Sequence, residues 1–311
     1  MTVFGMAQVT SILYIVFQAG IKDAQSRCGV RVFEISFARS ILTILSASVC
    51  VFVSGQNPFR AVTRDLAWPL LIRCVAGALA FITVTTALPL LPLVLFQVIT
   101  NMTPFLAALL ACLWLGEKLS FFQLVCMLLC FGGIAVVIFE RDTSKGAVEK
   151  EFGSFNYGVI LTCIVAMIFA VTAVTTRKVK ALHWSVVTFY FELSCFIISG
   201  LWVLYESRSQ PIFQFKDMIP WLEIVGASFC HFTAQLFLTC MNQSMNPAIV
   251  AMFMYAKVVY AGFSDYFIFD EQLQSVQIVG AVAVLIITII AAIEKKCAAD
   301  NAARAALEAK Q

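Results

Sequence analysis

The stretch LWLGEKLSFFQ, residues 113–123, sets Gly116, Glu117 and Lys118 in the middle of one of the most apolar runs in the chain, and FIFDEQLQSVQ, residues 267–277, returns to the same arrangement. Carried two residues further, the alignment pairs Glu117 with Glu271, Leu119 with Leu273, Gln123 with Gln277 and Val125 with Val279, at a constant offset of 154 (271 − 117 = 154). Glu140 and Glu294 keep that offset. Each polar turn reads as a tight hairpin between two membrane-spanning helices, at the membrane surface. Its Glu lies near the N-terminus of the helix that follows, where free backbone N–H groups and the helix dipole favour a carboxylate. This structural reading stands beside a second, in which Glu117 and Glu271 carry protons.

The surroundings of the motif require a membrane. The chain has 311 residues, of which 61% are hydrophobic and 13% charged, and its mean hydropathy is +0.92. A soluble domain is roughly 45–50% apolar and about 25% charged. Hydropathy and charge punctuation give ten spanning candidates, at 4–21, 33–53, 67–88, 91–115, 121–139, 155–176, 184–205, 219–240, 247–269 and 276–293. No alternating ten-residue segments of the kind a closed barrel needs occur, so the expected fold is an all-α integral membrane protein. The opening MTVFGMAQVTSILYIVFQAG has neither a basic leader nor a small-residue cleavage site, and reads as the first span.

The longest polar interval, ERDTSKGAVEKEFGS at 140–154, divides the candidates five and five. An odd number of helices per repeat sends the second copy into the membrane from the opposite side, the inverted-repeat plan of secondary transporters. The expected organisation is a five-helix repeat at 1–140, a connecting loop at 141–154, a second repeat at 155–294 and a tail at 295–311.

Beyond these features, the motifs resemble the drug/metabolite transporter superfamily of EamA type. The resemblance rests on LWLGEKLS followed by Gln and FGGIAVV (131–137), on FARS (37–40), LIRCVAGALAF (71–81), NMTPFLAALLACLWLGEKLS (101–120) and TTRKVKAL (175–182), and on NPAIVAMFMYAKVVY (246–260). It covers most of the chain and is closest to the G branch of solute carrier family 35. It implies a ten-helix transporter with a central cavity and both termini cytosolic, in the plasma membrane or an endomembrane. It leaves the substrate open, since relatives carry nucleotide sugars, organic anions, amino acids and other metabolites. Charge alone gives only a slight positive-inside bias for this orientation.

Charges inside spans are the best local pointers to a site, because an Arg or Lys at a helix centre costs about 2.5–3.5 kcal/mol on insertion scales. Arg39, Arg73 and Lys257 qualify. Arg39 and Arg73 lie near enough to a span end to snorkel or to form structural ion pairs. Lys257 is deeper, which points to a cavity or to pairing with Glu192 or Asp265. Three polar pairs have i,i+4 spacing: Gln97 with Asn101, Tyr190 with Ser194, and His231 with Gln235. Tyr255 is the repeat mate of Asn101 (255 − 101 = 154). Such pairs either line a shared cavity or hydrogen-bond between helices. His231 reads as a proton carrier or as a satisfied interior histidine, and His183 as solvated.

These features point to secondary transport of a small molecule, an organic anion such as a carboxylate or nucleotide-sugar-like compound, with a counter-substrate or proton as the coupling partner. The alternative is a non-transporting membrane subunit or scaffold that keeps the fold. An enzyme would need clustered catalytic or metal-ligating groups, which two separated histidines and scattered acids do not supply, and no cofactor is expected. The formal charge of +3 shows no basic stripe and implies no nucleic acid partner; a monomer or homodimer in the bilayer is expected. The eleven cysteines sit mostly in apolar runs and read as small packing residues. Cys297, beside Lys295 and Lys296, is a position for palmitoylation.

Overall fold

The computed structural model describes residues 3–115, 149–208, 211–213, 218–244 and 254–271 continuously, and isolated positions within 121–133 and 278–297. The Gly116 to Lys118 turn, about half of the spans expected at 121–139 and 276–293, residues 247–253 and the tail from 298 onward lie outside the described residues. Among the described residues all regular structure is helical. The helices are α1 (Val3–Cys28), α2 (Val32–Val53), the single-turn α3 (Pro58–Ala61), α4 (Arg64–Ala87), α5 (Leu93–Thr100), α6 (Thr103–Leu115), α7 (Glu149–Lys178), α8 (Trp184–Glu206), α9 (Ile219–Ser244) and α10 (Ala256–Phe267). A 3-10 turn at Leu88–Leu90 joins α4 to α5.

Six described segments are long and apolar enough to cross a bilayer: Val32–Val53, Arg64–Leu90, Leu93–Trp114, Ser154–Lys178, Trp184–Glu206 and Ile219–Met241. Their distribution of polarity fits lipid. Outward-facing Phe52, Trp68, Leu201, Leu222 and Phe229 are large and apolar, while Arg39, Gln97, Thr85, Glu192 and Asp265 are buried. Inside the helices, hydroxyls turn back onto their own backbone: Thr10 donates to the Met6 carbonyl at 2.7 Å, Thr85 to Phe81 at 2.9 Å and Thr162 to Gly158 at 2.7 Å. That satisfies a polar side chain without help from water.

The packing repeats when the halves are exchanged. A shift of 154 residues carries α1 onto α7, α2 onto α8 and α4 onto α9. In the structure α1 packs on α9 and α4 on α7, α2 packs on α8, and both α2–α9 and α4–α8 are in contact. Each of these pairings has its exchanged counterpart, so the helices follow the same two-copy plan as the sequence.

Two elements depart from expectation. α1 runs on to Cys28 although its apolar stretch ends at Ile21, because the charges there are paired: Arg27 Nε lies 2.8 Å from Asp23 one helical turn earlier, and Lys22 is buried on acids of the other half. Gly29, at φ +66°, then ends the helix with the left-handed turn that glycine adopts most readily. The span expected at 91–115 is broken into α5 and α6. Pro104 has no N–H to offer the Thr100 carbonyl, and the Thr103 hydroxyl takes that acceptor instead, at 2.6 Å. In the second half, α10 begins directly after Tyr255, the repeat position of Asn101.

At Gly158 α7 packs tightly on the turn after α4, since a Cβ there would come within 2.8 Å of Leu90 Cβ and 3.0 Å of Leu91 Cγ; Gly226 has nothing within 4 Å. Gly158→Ala is expected to lower stability by about 1–3 kcal/mol, and Gly226→Ala to be neutral or stabilising. Thermal unfolding of the solubilised protein checks this, and equal melting temperatures for the two variants would contradict the packing at Gly158.

Candidate functional site

α2 carries Arg39 into the centre of the bundle, where it is fully buried and does not reach a surface. Its Nη2 lies 3.1 Å from Glu192 Oε2 on α8, its Nη1 is 2.9 Å from His231 Nδ1 on α9, and its guanidinium covers the Phe81 ring of α4 at 3.9 Å. Thr43, one turn along α2, donates to the same Glu192 oxygen at 2.6 Å. The snorkelling reading of Arg39 therefore fails, and the structural-pair reading describes it. Because an arginine can only donate, Nδ1 of His231 must be the acceptor, so the ring is neutral in this arrangement. A neutral imidazole between a guanidinium and the rings of Tyr14, Phe17 and Phe81 matches the satisfied interior histidine.

Arg73 is also buried, on the inward face of α4, and stacks over the Phe191 ring of α8 at 5.4 Å; its Nε has no hydrogen-bond partner. Gly77 makes room for this pose, since a Cβ there would sit 2.7 Å from Phe191 Cε2 and 3.1 Å from Arg73 Nη1. Like Arg39, it does not snorkel.

Lys257 is the second residue of α10 and lies 5.3 Å from the centroid of the Tyr14 ring. It is half-buried, and it shares a helical stripe with the buried Ala261, Ser264 and Asp265, so its open side faces the interior of the bundle and not lipid. Neither expected acid is its partner. Glu192 is engaged by Arg39, and Asp265 lies 4.0 Å from Lys22 Nζ. Among the described residues Arg73 and Lys257 have no ion-pair partner.

Tyr14 connects these groups. Its hydroxyl donates to Gln235 Oε1 at 2.6 Å, its edge meets His231, its face meets Lys257, and it lies within electrostatic reach of Arg73. Sequence reasoning missed it, although Tyr14 and Gln18 have the same i,i+4 spacing that singles out Gln97 and Asn101. Gln97 in turn donates to Gln18 from α5 to α1. Asn101, at the α5–α6 break, is buried with its amide nitrogen unpartnered, and Tyr255 is buried at the start of α10.

Tyr190 and Ser194 stand apart from this group. Tyr190 donates to the Pro58 carbonyl of α3 at 3.3 Å, and Ser194 bonds back to the Tyr190 carbonyl at 3.0 Å. His183 is not simply solvated: it precedes α8 and its Nδ1 lies 2.7 Å from the Ser185 hydroxyl. Cys74, Cys126 and Cys195 are buried free thiols, as their apolar setting requires, and Cys297 is exposed. No cluster of three metal-ligating side chains occurs among the described residues.

Among the described residues, an all-helical bundle with an apolar outside, a span broken at Asn101 and cations turned inward is the architecture of a multi-pass membrane transporter of small molecules. The sequence pattern of the EamA-like transporter family matches residues 2–139 and again 156–293, and the chain belongs to that family. The two matched segments begin 154 residues apart (156 − 2 = 154), the offset of the polar turns. The chain is 22% identical over 291 residues to the pseudopaline exporter CntI of Pseudomonas aeruginosa strain UCBPP-PA14, covering 94% of this chain and 96% of that protein. CntI of strain PAO1 matches to the same extent. A solved crystal structure shares the fold with a TM-score of 0.62 at 15% identity, over 92% of this chain and 96% of that one.

The Arg39–Glu192 pair generates a test. Removing one member leaves a buried charge uncompensated, so Arg39→Met is expected to destabilise by about 3–5 kcal/mol, and Arg39→Met with Glu192→Leu by markedly less. Unfolding of single and double variants in detergent measures this. Additive losses would show that the two side chains are not coupled.

Proposed function

We propose that this protein is a secondary transporter that moves a small organic anion by alternating access. In this reading it has ten spans in two inverted halves, at 1–140 and 155–294, joined by the loop at 141–154 and followed by a cytosolic tail at 295–311. The observation that carries the proposal is the charge surplus. Arg39 is neutralised by Glu192, whereas Arg73 and Lys257 face inward over aromatic rings with no carboxylate partner among the described residues. A desolvated anion is tolerated only where fixed positive charge and donors replace its water. Arg73 and Lys257 supply the charge, and the Asn101 amide supplies a free donor at a helix break. Helix breaks at the midplane are where transporters of this plan hold substrate.

The exchange symmetry of the packing supports a rocking of one half against the other. CntI, named as an exporter, supports movement of a small molecule across the membrane. A counter-substrate or proton completes the cycle, the working unit is a monomer or homodimer, and the membrane is the plasma membrane or an endomembrane with both termini in the cytosol.

Lys257→Met retains the stem and removes the charge. Uptake of radiolabelled organic acids into proteoliposomes is expected to fall about tenfold or more, with melting temperature and targeting unchanged. Undiminished transport of an anionic substrate by this variant would overturn the anion reading. For the orientation, Asn242 begins the sequon Asn242–Gln243–Ser244 on the side assigned to the cytosol, so expression in glycosylating cells should leave it unmodified, and a glycan there would reverse the topology.

A further inference from the structure

At the end of the bundle where α1 finishes, three elements from the two halves meet on one set of charges. Lys22 Nζ donates to the Leu91 carbonyl at 3.1 Å and to Glu271 Oε1 at 3.0 Å, and lies 4.0 Å from Asp265 Oδ1. Its ammonium also sits 4.6 Å from the Phe269 ring centroid. Asp265 uses both carboxylate oxygens on the start of α5, accepting from Leu93 N at 2.9 Å and Val94 N at 2.8 Å. These N–H groups have no intrahelical acceptor, and a carboxylate at a helix N-terminus is favoured by the dipole. Lys22 and Asp265 are both buried, whereas Glu271 is the more open member, its side chain 38% exposed. Glu271 belongs to the second polar turn, residues 267–277, and its described partner is this lysine.

The repeat makes the arrangement one-sided. Subtracting or adding 154 takes Lys22 to Thr176, Asp265 to Ala111, Phe269 to Leu115 and Leu91 to Met245, while Glu271 alone keeps its type as Glu117. Neither the lysine nor the capping aspartate recurs at its repeat-related position. In a transporter built from two similar halves, the two ends would otherwise open with similar ease, and a charge cluster whose lysine and aspartate are not repeated in the other half biases the equilibrium.

We propose that Lys22, Asp265 and Glu271 form a latch that holds shut the end of the bundle where α1 and α10 finish, so that the resting protein is closed there and opens at the opposite end. Under the proposed orientation the latched end is the extracytosolic one. Opening it requires α10 to carry Asp265 away from the α5 amides and Lys22 to leave the Leu91 carbonyl. The latch rests on the alternating-access reading and not on the identity of the substrate.

The test measures distances in nanodiscs without substrate, using spin labels introduced as unnatural amino acids so that the native cysteines stay in place. One pair is at Arg27 and Phe267, at the latched end, and a second is at Val53 and Lys180, at the other. The unaltered protein should give a single short Arg27–Phe267 distance. Lys22→Met should add a longer population, raising the open-to-closed ratio about tenfold or more, with the Val53–Lys180 distance shifting in the opposite direction; Lys22→Arg should restore the single distance. Glu271→Gln, at the more open member, provides a milder version if Lys22→Met fails to fold. A single short distance in both Lys22→Met and Glu271→Gln would overturn the latch, as would broadening at both ends together, which marks a loss of fold. Because no substrate is present, failure of the Lys257→Met transport test leaves this measurement untouched.

Discussion

A helix in hydrocarbon has no water with which to complete its hydrogen bonds, and the architecture follows from that constraint. Where the backbone stays regular, the requirement is met within each helix, and threonine and serine hydroxyls join it by bonding one turn back. Where the backbone breaks, a substitute must be found. The Thr103 hydroxyl serves the carbonyl that Pro104 leaves without a donor, and the Asp265 carboxylate serves the first amides of α5. The first of these points is closed locally, and the second by a side chain from the other half, which ties the two halves together there.

The same constraint sorts the cations. Arg39 is surrounded by a carboxylate, an imidazole and an aromatic face, which leaves it a role in holding α2, α8 and α9 together. Lys22 is held at one end of the bundle. Among the described residues Arg73 and Lys257 meet aromatic faces and no carboxylate; such faces are worth about 0.5–2 kcal/mol each, which is less than a buried charge demands. What separates Arg39 from the other two is charge balance: Glu192 compensates it, whereas no carboxylate among the described residues compensates Arg73 or Lys257.

Much of this was legible in the sequence because the repeat is. The offset between the two polar turns anticipates the two segments matched by the family, and the apolar runs mark most of the helices. The break at Asn101 escaped because hydropathy averages across it, although Thr103–Pro104 was a local sign. α1 was drawn too short because a charged residue such as Lys22 ends an apolar window even when its partners are waiting in the fold. Those partners could not be read from spacing: Glu271 is 249 residues away from Lys22. The pairing of Glu192 with Arg39 instead of Lys257 is equally invisible to periodicity, which reports the face of a helix and not what the face meets.

The Arg39–Glu192 pair also constrains how the protein is made. Glu192 follows Arg39 by 153 residues (192 − 39 = 153). At synthesis rates of about 5–20 residues per second, the arginine precedes its carboxylate by roughly 8–30 s. During that interval α2 belongs to a half-built bundle carrying an uncompensated charge, which insertion scales put at about 2.5–3.5 kcal/mol uphill at a helix centre. The first half of the chain therefore carries that cost alone, and the arrival of α8 from the ribosome is the event that removes it.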